Sequence, residues 1–215
     1  MSWKNNEIPN VAPFDEDLGI ISQVEPPYCN TAQSKSDSSN RIIYISGQVN
    51  EICAQKVISD IIKYESSDPF SDILMFIDSY GGYCDSFLSI HDMMKMSRCD
   101  IATICVGKAM SVGQMLLMSG TPGKRFITPN SRVMIHSISS GMYGKIHELD
   151  TEMEEWKKIQ ADFESFILRY TKISKKEIKG LMLKNSYLRS DQALKYGIVD
   201  YVIKKPSDFY SKIRI

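Results

Sequence analysis

From Arg41 to Ile203 short β-branched runs alternate with longer stretches of helical apolar spacing, and few architectures accept that order. RIIYISG is rich in β-branched residues and stops at Gly47, which predicts a strand. EICAQKVISDIIKYESS sets Ile52, Val57, Ile58, Ile61 and Ile62 near a helical repeat. DILMFID is apolar on consecutive positions, the pattern of a strand covered on both faces. SYGGYCD predicts a turn and SFLSIHDMMKMS a helix; ATICVG, SVGQMLLMSG and SRVMIHS then read as strand, helix and strand. The longest predicted helix runs from Lys145 to Tyr170, carrying Ile146, Leu149, Met153, Trp156, Ile159, Phe163 and Phe166 on one stripe. A short helix (SDQALKYG) and a strand (IVDYVI) close the pattern. Strands alternating with helices imply parallel βαβ units and a covered sheet, so the class is α/β.

Residues 1–40 read differently, with Pro9, Pro13, Pro26 and Pro27 followed by the polar tract TAQSKSDSSN. Such a segment buries little and is expected to be mobile or ordered by a partner. Its one apolar piece, Leu18 to Val24, could form a strand or a local contact. Residues 41–204 then make a single domain and residues 205–215 a C-terminal tail. Twenty-six basic and 26 acidic residues cancel, so no net field draws the chain to nucleic acid or an anionic membrane. No apolar run approaches the roughly 20 residues that span a bilayer. The opening MSWKNNEIPNVAPFDEDLG lacks the apolar core of a secretory signal. Five scattered cysteines without a CxxC pair suit a reducing compartment, the cytoplasm or a plastid stroma, rather than a disulfide frame or a metal site.

Three histidines limit the choice of a general base. His91 and His147 fall in helical runs, where a surface or core-rim role is expected. His136 ends the apolar strand VMIH, at the edge where α/β sheets hold their ligands. Ser111 lies between a predicted strand and a predicted helix, a position that presents a side chain at a sharp turn. AMSVG lacks the first glycine of the nucleophile elbow, and a serine here equally suits a helix cap. Gly81-Gly82 follows a buried strand; glycine lets the backbone approach a ligand and aim an N–H at it, or simply makes a turn.

Together these residues resemble the proteolytic subunit of the Clp protease, the caseinolytic peptidase. The resemblance runs from about Arg41 to Ile203 and rests on GQV at Gly47, the Gly81-Gly82 pair, the Ser111 turn, GKRFITPNSRVMIH and ALKYGIVD. It implies a spiral of ββα units with a protruding handle helix, formed by the stretch from Lys145 onward after a handle strand in SISSGMYGK. It implies Ser111 as nucleophile, His136 as general base, and the Gly82 and Val112 amides as oxyanion donors. Gly81, Ser137, Ile138 and Gly141 are implied as substrate-binding. The family assembles as two stacked seven-membered rings that enclose the active sites. An ATP-driven AAA+ unfoldase feeds that chamber with unfolded polypeptide. The subunit itself is expected to need no cofactor or metal, and the sequence has no Walker-type glycine loop.

The chain departs from the family at informative places. The third catalytic residue, usually aspartate, aligns with Asn185. An asparagine carbonyl can accept from imidazole Nδ1–H but brings no charge to balance an imidazolium. Asp191, close by, is expected to cap a helix. Tyr80 replaces the proline before the glycine pair, Ser137-Ile138 replaces Gln-Pro, and Leu183-Lys184 replaces the acid–base pair that senses ring contact. The N-terminal segment lacks the family's axial-loop pattern, which weakens the case for unfoldase docking. Two other classes compete with an active peptidase: a subunit that mainly builds or regulates a mixed ring, and a crotonase-like acyl-CoA enzyme. The latter shares the ββα spiral but relies on carboxylates.

Overall fold

The computed structural model describes residues 41–141 and 145–214. The Leu18–Val24 segment and Met142–Gly144 of the expected handle strand lie outside the described residues. In chain order the elements are β1 (Ile42–Val49), α1 (Glu51–Ser67), β2 (Ile73–Gly82), α2 (Cys84–Met96), β3 (Ile101–Met110), α3 (Val112–Met118), β4 (Arg125–Ile127) and β5 (Arg132–Ile135). The long α4 (Ile146–Tyr170) follows, then α5 (Lys175–Met182), β6 (Ser186–Arg189), α6 (Ser190–Lys195), β7 (Tyr201–Val202) and α7 (Ser207–Tyr210).

The alternation resolves into one sheet in the order β1-β2-β3-β4-β7, all parallel. β3 divides its partners along its length. Thr103–Cys105 pair with β4, and Lys108–Met110 pair with β5. β6 returns antiparallel to β5, with Ile135 opposite Ser186. Register shifts interrupt β1–β2 and β2–β3 at nearly the same level, marked by Gly47 and Gly107, both with positive φ. Irregularities of this kind bend strands. On β3 the shift falls between the residues that pair with β4 and those that pair with β5. The glycine pair predicted as a turn is therefore the end of β2. The short β4 and β6, and α5 between Ser174 and Leu183, carry too few residues to show a period.

One core lies between the sheet and helices α1 to α4, filled by side chains such as Ile45, Ile77, Phe87, Ile90 and Leu116. Asn50 starts α1 by accepting from the Cys53 amide at 2.9 Å, and Ser174 with Glu177 forms a capping box on α5. A second apolar cluster (Leu74, Ala102, Ile104, Phe126) sits on the opposite face of the sheet, where Phe209 of α7 covers it. The segment read as a tail is thus packed. Arg214 reaches back to Asp72 at 3.2 Å and Asp100 at 2.6 Å.

The blocks that carry the family resemblance have structural work to do. Arg125 of GKRF grips Asp200 of GIVD with two bonds, 3.0 and 2.6 Å, and donates to the Tyr170 carbonyl at 2.9 Å. Forked arginine–carboxylate pairs are among the strongest polar contacts. This one fixes β4 to β7 and to the end of α4. Ser131 of PNSR accepts from the Gly107 amide at 2.8 Å, which joins the bend in β3 to the start of β5.

The C-terminal half of α4 buries Phe163 and Ile167, whereas Met153 remains 42% exposed and most of its first half faces solvent. Among the described residues no helix is long and apolar enough to cross a membrane.

Candidate active site

The C-terminal ends of β2, β3 and β5 meet at Ser111. Its backbone, φ 54° and ψ −128°, is the only positive-φ conformation at a described residue other than glycine. Such a conformation costs a residue with a Cβ about 1–3 kcal/mol and persists where its surroundings impose it. Three bonds do so. The Ser111 amide donates to Met134 of β5 at 3.1 Å, and its carbonyl accepts from Gln114 at 3.0 Å and Met115 at 3.3 Å. Ser111 makes no side-chain cap bond to α3, so its hydroxyl is left for another partner.

That partner is His136. The strand register of β5 delivers it to Ser111, with Nε2 2.8 Å from Oγ. Burial lowers the affinity of its imidazole for a proton below the ordinary histidine value, and among the described residues no carboxylate opposes that shift. An unprotonated imidazole bonded to a hydroxyl is the arrangement that lets it take the hydroxyl proton. His91 is held elsewhere, bonded to Ser119 at 2.8 Å and edge-on to Phe166, with its pKa pushed by burial to about 4. His147 is exposed on α4. Both fit the rim and surface roles expected for them.

Asn185 does not join the pair. Extending the β5–β6 register by one step sets Asn185 opposite His136. Its side chain is nevertheless exposed, and among the described residues it makes no bond to the imidazole. Directly opposed residues of an antiparallel pair share a face, so Asn185 lies on the His136 side of the ladder while its side chain stands in solvent like those of Tyr187 and Arg189. Asp191 sits in the first turn of α6, whose N-cap is Arg189, so it does not cap that helix.

The glycine pair has two separate tasks. A Cβ on Gly81, which has φ +104°, would stand 2.7 Å from Ser111 Cβ and 3.2 Å from the Val112 nitrogen. Its own amide donates to Ser79 Oγ at 3.0 Å. Gly81, expected to bind substrate, is thus occupied within the chain and serves to make room for Ser111. A Cβ on Gly82 would meet the Val49 backbone, so β1 can approach only a glycine there. The Val112 amide opens α3, where helical N–H groups have no intrahelical acceptor.

A cavity of about 60 Å³ adjoins Ser111, Gly82 and His136, and Ser137 and Ile138 also line it. Their amides are already engaged. Ser137 donates to the Met182 carbonyl through both N–H and Oγ, at 3.1 and 2.8 Å, and Ile138 N–H donates to Gln160 at 2.9 Å. Gly141 is exposed, with nothing among the described residues within 4 Å of its Cβ position. Nothing in the sequence pattern singles out Ser79, Gln160 or Met182, whose bonds are made across the fold. Among the described residues no group of three or more histidine, cysteine, aspartate or glutamate side chains is placed to hold a metal ion.

An elbowed serine bonded to a strand-end histidine, with glycine-cleared backbone beside the serine, is an arrangement that acyl transfer can use. The Clp protease family model matches residues 30–206, which include the whole sheet and every site residue named above. The chain belongs to the Clp protease family and is a peptidase of that type.

Proposed function

We propose that the chain is a serine endopeptidase subunit that cleaves unfolded proteins and short peptides through an acyl-enzyme on Ser111. The observation that carries this reading is the 2.8 Å contact between Ser111 Oγ and His136 Nε2 at a strained strand-to-helix turn. His136 takes the Ser111 proton as Oγ bonds to the peptide carbonyl carbon. The Val112 and Gly82 amides hold the resulting oxyanion. His136 then gives that proton to the leaving amine as the C–N bond breaks. Water repeats the cycle: His136 takes its proton, hydroxide attacks the ester, and Ser111 recovers its hydrogen as the acid departs.

Hydrolysis of a fluorogenic peptide and of a denatured protein tests the reading. Wild type is expected to cleave both, and His136→Ala to lower the rate by about 10³-fold or more, the loss typical of a base that acts with its nucleophile. Equal rates in the two proteins would remove His136 from the chemistry.

The pH dependence follows from burial. His136 works unprotonated, and its proton affinity is lowered, so activity is expected to persist at neutral pH. It falls only as pH drops through a midpoint below about 6.5, the ordinary histidine value. Asn185→Asp is expected to place a carboxylate opposite the imidazole and move that midpoint upward. An unmoved acid limb would show that position 185 does not face the ring during turnover. In wild type, Asn185 is proposed to orient Nδ1 after a side-chain rotation.

Ring assembly is proposed on similar grounds. Met153 on α4 stays uncovered in a single chain, and Leu149 and Trp156 only half covered, an apolar stripe that second copies would bury. Two stacked seven-membered rings and an ATP-driven unfoldase partner follow from the family reading. The free thiols of Cys84, Cys99 and Cys105 support a reducing compartment. A second reading, a weakly active subunit of a mixed ring, is favoured by one observation: Asn185 gives His136 neither a bond nor a charge.

A further inference from the structure

We infer that the cavity beside Ser111 selects a small, hydrogen-bonding side chain on the acyl side of the scissile bond, serine ahead of alanine and both ahead of leucine or phenylalanine, and that Gln114 sets this choice. The inference rests on Ser111 being the nucleophile.

Size is the first argument. An apolar protein cavity of about 150 Å³ holds benzene, roughly 25 Å³ for each heavy atom. The 60 Å³ here therefore accepts two or three heavy atoms. Alanine presents one and serine two; leucine presents four and phenylalanine seven. The walls resist widening. Met115, Phe163, Ile167 and Met182 are each 6% exposed or less. Phe163 leans edge-on against the fully buried Phe87, with ring centres 5.7 Å apart. The Met182 backbone is fastened by both bonds from Ser137.

Polarity is the second argument. Gln114 lines this cavity and is 1% exposed. Its Nε2 donates to Met118 Sδ at 2.9 Å, which leaves the carbonyl oxygen without a bond among the described residues. The only fully sealed side-chain nitrogen or oxygen without a partner, among the described residues, is Ser86 Oγ. The Gln114 carbonyl is therefore not sealed, and the cavity is the space its residue borders. It stands as an acceptor among the methionine, phenylalanine and isoleucine side chains and the Cys84 thiol, while the polar groups of Ser111, His136, Ser137 and Ser139 line the rest of the cavity. A hydroxyl entering the cavity would satisfy it; an alkyl chain would leave it unpaired.

The test uses the full-length chain and fluorogenic peptides that differ only at the residue preceding the scissile bond: serine, alanine, leucine and phenylalanine. A small fluorophosphonate applied in parallel counts reactive Ser111. The expected result is phosphonylation of Ser111, kcat/KM several-fold higher for serine than alanine, and at least about tenfold higher for either than for leucine or phenylalanine, the usual effect of excess methylenes in a pocket. Gln114→Ala is expected to raise leucine cleavage and erase the serine advantage. Gln114→Met retains the bulk without the carbonyl, so it should lose the serine advantage and still reject leucine. Labelled Ser111 with leucine or phenylalanine cut as fast as alanine would overturn the pocket inference alone, as would both variants leaving the ranking unchanged. Absence of Ser111 labelling, or of hydrolysis of every peptide, would overturn it together with the serine mechanism.

Discussion

Replacing Ser111 by alanine is expected to lower kcat for peptide hydrolysis on the order of 10⁶-fold, the scale seen when a nucleophile is removed from a serine peptidase. The fold should survive, because the bonds that shape the turn come from the Ser111 backbone and not its hydroxyl. Glycine at the same position gives a sharper result. The conformation, φ 54° and ψ −128°, is the mirror image of an ordinary extended one, which glycine adopts as easily as its mirror. Ser111→Gly should therefore be as inactive as the alanine variant yet more stable than wild type. The expected gain is about 1 kcal/mol, the relief of strain less the added freedom of the unfolded chain. Thermal denaturation beside the activity assay checks both halves. A glycine variant less stable than alanine would mean that the turn is not strained.

Gly81→Ala is expected to damage the site by crowding Ser111 while removing none of the groups the chemistry uses. Its methyl would lie 2.7 Å from Ser111 Cβ and 2.8 Å from the Met110 carbonyl, on backbone at φ +104°. Neither neighbour is the loose end of a flexible chain, so the strand ends must part. Overpacking and the left-handed penalty together suggest a loss of about 3 kcal/mol. Activity should fall by about 10²-fold or more, since a displacement near 1 Å at a reacting atom has that effect. Denaturant titration measures the first and peptide hydrolysis the second. An alanine variant of normal stability and rate would show that β2 does not crowd the Ser111 turn.

Much of this arrangement is legible before any coordinates. The β-branched runs, the helical stripe from Lys145 to Tyr170 and the strand end at His136 are local patterns, and each becomes the element its spacing predicts. Ser111 stands at a strand-to-helix junction for the same reason. What the pattern conceals is long-range. Gly81-Gly82 looks like a turn because glycine pairs usually are, whereas here they end a strand whose register has shifted against both neighbours. β4, three residues long, is held by Arg125 gripping a partner 75 positions later. Asn185 aligns with a catalytic residue, yet its side chain stands in solvent without a bond to His136, which no one-dimensional alignment registers. Phe209 and Arg214 read as part of a C-terminal tail until the second face of the sheet is seen beneath them.

The central claim is that Ser111 is chemically activated by His136. Fluorophosphonate labelling followed by peptide mass spectrometry tests it most directly, because the reagent reports the nucleophile whatever the preferred substrate. The expected result is one phosphonyl group per reactive chain, on the peptide containing Ser111, with labelling slowed by His136→Ala and faster at pH 7 than at pH 5. Label on another serine, or Ser111 labelling at the same rate with and without the imidazole, would contradict it.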